Sequence, residues 1–349
     1  MSGDPVDPRV RPRPGPGGAD GSIPVDGHVH IHPVYVLGDF LDAAARNLAA
    51  AAGRAEYPGA GPVRGSSVRG SSVRRSSARE SMGGPDGKSN GNSDERPDGR
   101  SDGDTNGNPN GRSVGVLLLS ESAGVDRFRE LADAAREDRK FGPWTPSQTQ
   151  DPGAVLLRRD RARDDTAGAT PLPDLVVVAG RQVVVRERLE VLALCTAREF
   201  PDGGSLTETI ERVRAAGAVP VVPWGFGKWW FGRGKIVDDL VAGASPGDFL
   251  LGDNGIRPRY SPEPRAFRSA AARGIAVLAG SDPLPFSAQV RRPGHFGSLV
   301  QETTFDLQRP ARSLASVLRG LPPGTPTFGR REPLHRFLEA QIRIRLPGG

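Results

Sequence analysis

Histidine and cysteine are scarce in this chain of 349 residues, with five of the first and one of the second. A single cysteine, Cys195, excludes an internal disulfide and fits a reducing compartment. It closes the apolar run 191–195, where a buried structural thiol is expected rather than a nucleophile. No apolar stretch approaches the ~18 residues that cross a bilayer. Residues 1–22 are rich in Pro and Gly and lack the apolar core of a signal peptide. A cytoplasmic protein with no membrane partner is therefore expected. The net charge is +6, but basic and acidic residues interleave along the chain. Without a basic stripe or a nucleic-acid module, nucleic acid is not an expected partner.

Residues 53–112 lack Leu, Ile, Phe and Trp altogether. A short repeat opens this stretch (Val-Arg-Gly-Ser-Ser at Val63 and Val68, Val-Arg-Arg-Ser-Ser at Val73), and a run of Gly, Asn, Asp and Ser follows. Such a composition cannot bury enough apolar surface to offset its ordering entropy. It reads as a disordered insert, with residues 1–22 a disordered N-terminus. Residues 23–52 and 113–349 then form a single domain.

Within that domain strand-like and helix-like segments alternate. Strands are expected at 25–31, 114–119, 175–178, 182–186, 189–194, 219–222, 249–251 and 275–279. Helices are expected at 37–52, 125–140, 206–216, 236–242, 264–273, 310–319 and 333–345. Ser205 and Glu208 carry the capping-box pattern at the start of one helix, and Gly217 ends it. Repeated strand–helix units imply parallel strands with helical crossovers. No Gly-x-Gly-x-x-Gly follows the first strand and no Walker motif appears, which counts against a nucleotide-binding open sheet. The fold class expected is α/β, a distorted TIM-like barrel with the long insert after its first βα unit.

Three of the five histidines stand in Asp26-Gly27-His28-Val29-His30-Ile31-His32, at the end of the first strand. Alternate residues of a strand share a face. His28 and His30 can therefore converge on one ion, as imidazoles at this spacing commonly do for zinc, manganese or iron. The run 277–282 ends an apolar strand in Gly280-Ser281-Asp282. In a barrel, reactive groups sit at such C-terminal strand ends. Asp282 is the expected third ligand, or a base toward an activated water.

The order of these motifs resembles the polymerase-and-histidinol-phosphatase (PHP) superfamily: His-x-His after strand one, residues 217–222 leading a middle strand, and Gly-Ser-Asp after a late one. The resemblance covers residues 25–52 and 113–300. It implies a distorted (β/α)7 barrel, up to three metal ions and hydrolysis of phosphate esters. Two family motifs differ here. His-Pro is replaced by Pro223-Trp224, and Ser-Asp-Ala-His by Ser281-Asp282-Pro283-Leu284. No histidine lies between His32 and His295. One or two divalent ions (Zn, Mn or Fe) are therefore expected. His28, His30, Asp282 and Glu187 are the expected ligands, and His295 is a further ligand or general acid.

Residues 224–235 gather three of the four tryptophans, four glycines and three cations. Aromatic residues between flexible hinges suit a lid. Lys228, Arg233 and Lys235, with Trp224, are expected to bind a small anionic substrate. The activity expected is metal-dependent hydrolysis of a phosphate ester. The alternative is a degenerate, non-catalytic PHP-like barrel that serves as a binding protein.

Overall fold

The computed structural model describes residues 21–52, 113–160, 172–301 and 305–345. Of the segments expected to be disordered, 1–22 and 53–112, all but residues 21 and 22 lie outside these residues. Ser22 already belongs to the first strand. The described residues form part of one compact unit. None of their helices is long and apolar enough to cross a membrane.

The expected barrel is not what the chain forms. Among the described residues twelve strands make two mixed sheets, one of seven strands and one of five, and no continuous ladder closes them. The first sheet takes the order β12-β11-β1-β2-β5-β4-β3. Its strands are β1 (Ser22–Val29), β2 (Val114–Leu119), β3 (Trp144–Gln148), β4 (Ala154–Arg159), β5 (Asp174–Val178), β11 (Phe296–Gln301) and β12 (Thr327–Gly329). Helix α1 (Leu37–Ala52) connects β1 to β2, and α2 (Arg127–Arg136) follows β2. Strands β1, β2 and β5 are parallel, whereas β4, β3, β11 and β12 add antiparallel edges.

The second sheet takes the order β10-β9-β8-β7-β6. Its strands are β6 (Gly180–Val184), β7 (Glu190–Leu194), β8 (Val219–Pro223), β9 (Leu250–Asn254) and β10 (Val277–Gly280). Helix α3 (Leu206–Ala215) precedes β8, while α4 (Gly232–Gly243) and α5 (Arg265–Ala272) make the crossovers to β9 and β10. The β6–β7–β8 part is antiparallel and the β8–β9–β10 part parallel. The barrel expectation failed because β3, β4, β11 and β12 were not foreseen. These strands widen one sheet instead of closing a ring.

Alternation explains the layers. One face of each sheet supplies Val25, Val116, Val176, Leu192, Val221 and Leu278 to a shared core, which α6 (Pro310–Arg319) covers through Leu314 and Leu318. The opposite face of the first sheet packs Val29, Leu117 and Val177 against Leu41 and Leu48 of α1. The outer face of the second packs Val191, Val222 and Leu251 against Ile210 of α3, Val237 of α4 and Phe267 of α5. All eight residues of β1 are buried, as a strand covered on both faces should be.

The two sheets touch along a seam between β1 and β10. A Cβ on Gly27 would stand 2.5 Å from Leu278 Cγ, and a Cβ on Gly280 only 2.2 Å from the His28 nitrogen. Only glycine permits that approach. Beyond it, Asp282 N donates to His28 O at 2.8 Å, and Ala279 N donates to Ser298 Oγ at 3.0 Å. The other edge of the second sheet, β6, meets the end of β2, where Glu121 N donates to Gly180 O and Gln182 N donates to Glu121 O.

Candidate metal centre

The glycine seam places the end of β1 beside the end of β10. His28 Nε2 and His30 Nε2 lie 3.1 Å apart, and each stands 3.7 Å from Asp282 Oδ1. These three atoms are the one group among the described residues with donors grouped to hold an ion. Ligands about 2.0–2.2 Å from a tetrahedral zinc are separated by about 3.3–3.6 Å. The observed separations bracket that range. Two imidazoles and a carboxylate make one triangular face and leave the fourth corner free, the donor set of an open site.

Backbone strain and hydrogen bonds hold the face. Asp282 adopts φ 48° immediately before Pro283, a conformation an aspartate rarely takes. Its Oδ2 accepts from Asn254 Nδ2 at 3.0 Å, which leaves Oδ1 turned to the histidines. The same amide donates to Trp224 O at 2.8 Å. Burial works against the Asp282 charge, but His28, His30, Lys228 and Arg292 beside it together hold its pKa below the ordinary value. Burial, reinforced by His28, pushes His30 down to about 3, so its ring is neutral at pH 7 and its lone pair is free to bind an ion.

Asp26, whose two carboxylate oxygens stand in the middle of the seam, proves to be a brace. It is fully buried, and its Oδ1 accepts from Ser281 N at 2.7 Å and His28 N at 3.3 Å. Its Oδ2 accepts from Gly294 N at 2.7 Å. One carboxylate thus ties β1, the end of β10 and the approach to β11. Burial raises its pKa to about 6 despite these bonds. Arg292 Nε donates to Ser281 O at 3.2 Å and pairs with Glu332, fixing the same turn from the other side. Tyr35 donates to Leu284 O, and His32 Nε2 bonds to Pro283 O at 2.8 Å.

Other expected site residues stand elsewhere. Glu187 Oε2 accepts from Leu206 N at 3.1 Å, capping α3, so it is not a ligand with the histidines. His295 is exposed and outside the ligand group. Of the three loop cations, Lys228 pairs with Glu190 and bears on both His30 and Asp282. Arg233 is spent on Gly227 O at 2.7 Å, and Lys235 on Asp239 at 2.7 Å. Neither forms a clamp with Lys228. Trp224 reaches the centre through its carbonyl rather than its ring. Asn254 and Arg292 were not foreseen. Their only sequence signal is position, Asn254 ending a strand and Arg292 standing in a Gly/Pro loop.

No family model matches the chain, and no curated protein does. Among solved structures it is similar to the crystal structure of PsfC from Pseudomonas syringae PB-5123. The identity is 12%, over 66% of this chain and 82% of that one, with a TM-score of 0.41. A likeness so slight carries no argument here.

Proposed function

We propose that this chain is a metal-dependent hydrolase acting on a small anionic ester, with phosphate esters the leading class. The observation that carries the reading is the triangle of His28 Nε2, His30 Nε2 and Asp282 Oδ1. The order of the His-x-His and Gly-Ser-Asp motifs, which resembles the PHP superfamily, supports it; the barrel of that superfamily is not part of it. A divalent ion held there supplies Lewis acidity and lowers the pKa of a water it binds.

The chain's own residues then have separate tasks. His28 and His30 present their Nε2 atoms side by side, and the His30 ring is neutral. Asp282 presents one charged oxygen, and Asn254 fixes the other so that the carboxylate cannot rotate away. Lys228 brings positive charge to bear on Asp282, beside which a substrate anion would bind. Asp26 and Arg292 keep the turn that carries Asp282 rigid.

The test is turnover of p-nitrophenyl phosphate by protein loaded in turn with Zn, Mn or Fe. Asp282→Asn should lower kcat at least about 100-fold, the scale of a lost catalytic group. Lys228→Ala should raise KM about 10- to 100-fold, equivalent to roughly 1.5–3 kcal/mol for a charge-assisted contact. An ion bound without turnover on phosphate, carboxylate or sulfate esters would favour the non-catalytic binding protein instead.

A further inference from the structure

Beside the metal centre, on the far side of the Trp224 backbone, lies a cleft that the hydrolase reading does not use. Its volume is about 410 Å3, within the range of small-molecule sites. Trp224, Phe226, Trp229 and Trp230 line it from the loop after β8. The Pro-rich segment 258–264 forms part of the facing wall. The rings are held by one another: Phe226 meets Trp230 edge-on with centroids 4.7 Å apart, and Phe337 at 4.8 Å. Trp229 packs edge-on against Phe267 at 5.6 Å. Its indole nitrogen is buried with no hydrogen-bond partner among the described residues.

Two carboxylates complete the lining, Asp238 on α4 and Glu263 before α5, against one guanidinium, Arg265. Neither carboxylate makes an ion pair with a described residue. Aromatic faces carry a negative quadrupole and attract cations, most strongly where water is excluded. Arg345 stands over the Phe226 ring at 5.9 Å, so these rings already take a cation, and Glu263 also bears on Arg331. In the lining itself two carboxylates face one guanidinium, which disfavours an inorganic anion, and a plain hydrocarbon would leave Asp238 unanswered. We infer that this cleft is a binding site for an organic cation of the alkylammonium class, with the tryptophan faces around its methyl groups and Asp238 and Glu263 supplying the countercharge. The inference is independent of the metal reading.

The experiment titrates the full chain with choline and follows tryptophan fluorescence and heat. The control ligand is the neutral tert-butyl analogue, in which carbon replaces the ammonium nitrogen, and sodium chloride holds the ionic strength equal. Choline should give a saturable change, with the neutral analogue at least about tenfold weaker. Trp230→Ala should weaken choline at least about tenfold, and so should Asp238→Asn, which leaves the rings in place should the tryptophan variant fold poorly. No saturable response to choline, equal binding of the neutral analogue, or unchanged affinity in a folded Asp238→Asn variant that also lacks Glu263 (Glu263→Gln) would each overturn the assignment.

Discussion

At the scale of single residues, two glycines matter as much as the ligands. His28 and Asp282 converge because Gly27 and Gly280 let β1 and β10 touch. Gly280→Ala would drive a methyl into the His28 backbone. We expect a loss of about 3 kcal/mol or more, the upper end of overpacking effects, measured by urea unfolding, together with loss of ion binding. The titrating groups oppose one another in metal-free protein. His30 has its folded pKa near 3, below the ordinary 6.5. The unfolded chain therefore takes up its proton first as pH falls. The stability this gives is complete above pH 6.5 and is lost progressively below it. Asp26 has its folded pKa raised from 3.8 to about 6, so its contribution declines as pH rises between those values. The difference between wild type and His30→Asn isolates the histidine. Wild type should lose the greater stability from pH 6.5 to 4.5, and parallel curves would contradict the assignment. His28, His30 and Asp282 were legible because histidine is rare here and an apolar strand ending in Gly-Ser-Asp is distinctive. Asn254, Arg292 and the bracing role of Asp26 were not, because their partners lie far away in sequence and depend on strand register.

At the scale of elements, the helices and parallel strands were legible from apolar periodicity and caps. Ser205 and Glu208 form the capping box that their spacing predicts. Two of the strands that escaped notice have their own physical reasons. β3 contains Pro146 and is polar, which an edge strand tolerates. β11 carries Gly297 and Ser298 because it passes close to its neighbours. A Cβ on Gly297 would stand 2.3 Å from Val25 O, and Ser298 Oγ serves the β10 backbone. Glu121 shows how one side chain joins elements. Its Oε1 accepts from Arg127 N at 2.5 Å and Phe128 N at 3.1 Å at the start of α2, and its Oε2 pairs with Arg181 Nη1 of β6 at 3.2 Å. Glu121→Ala removes the cap and leaves Arg181 without that partner in a buried setting, for an expected cost of about 3–5 kcal/mol. Glu121→Gln keeps an acceptor for the helix and should cost less. Equal costs for the two variants, by urea unfolding at constant slope, would show that the helix contacts add nothing to the charge at this junction.

At the scale of the whole molecule, the ligands come from both sheets: two from the end of β1 and one from beyond β10. The centre therefore exists only when the two sheets are assembled, and an ion bound there stabilises the assembled state by mass action. This is also why the sequence could carry an intelligible site while its architecture misled. The motifs sit at strand ends, and strand ends converge in a two-sheet arrangement much as they do in a barrel. The account stands most directly on elemental analysis of untagged protein after dialysis against dilute divalent metal. Wild type should retain about one equivalent of transition metal per chain, and the His28→Ala, His30→Ala double variant almost none. A folded double variant that still holds one equivalent would place the ion elsewhere and contradict the metal centre described here.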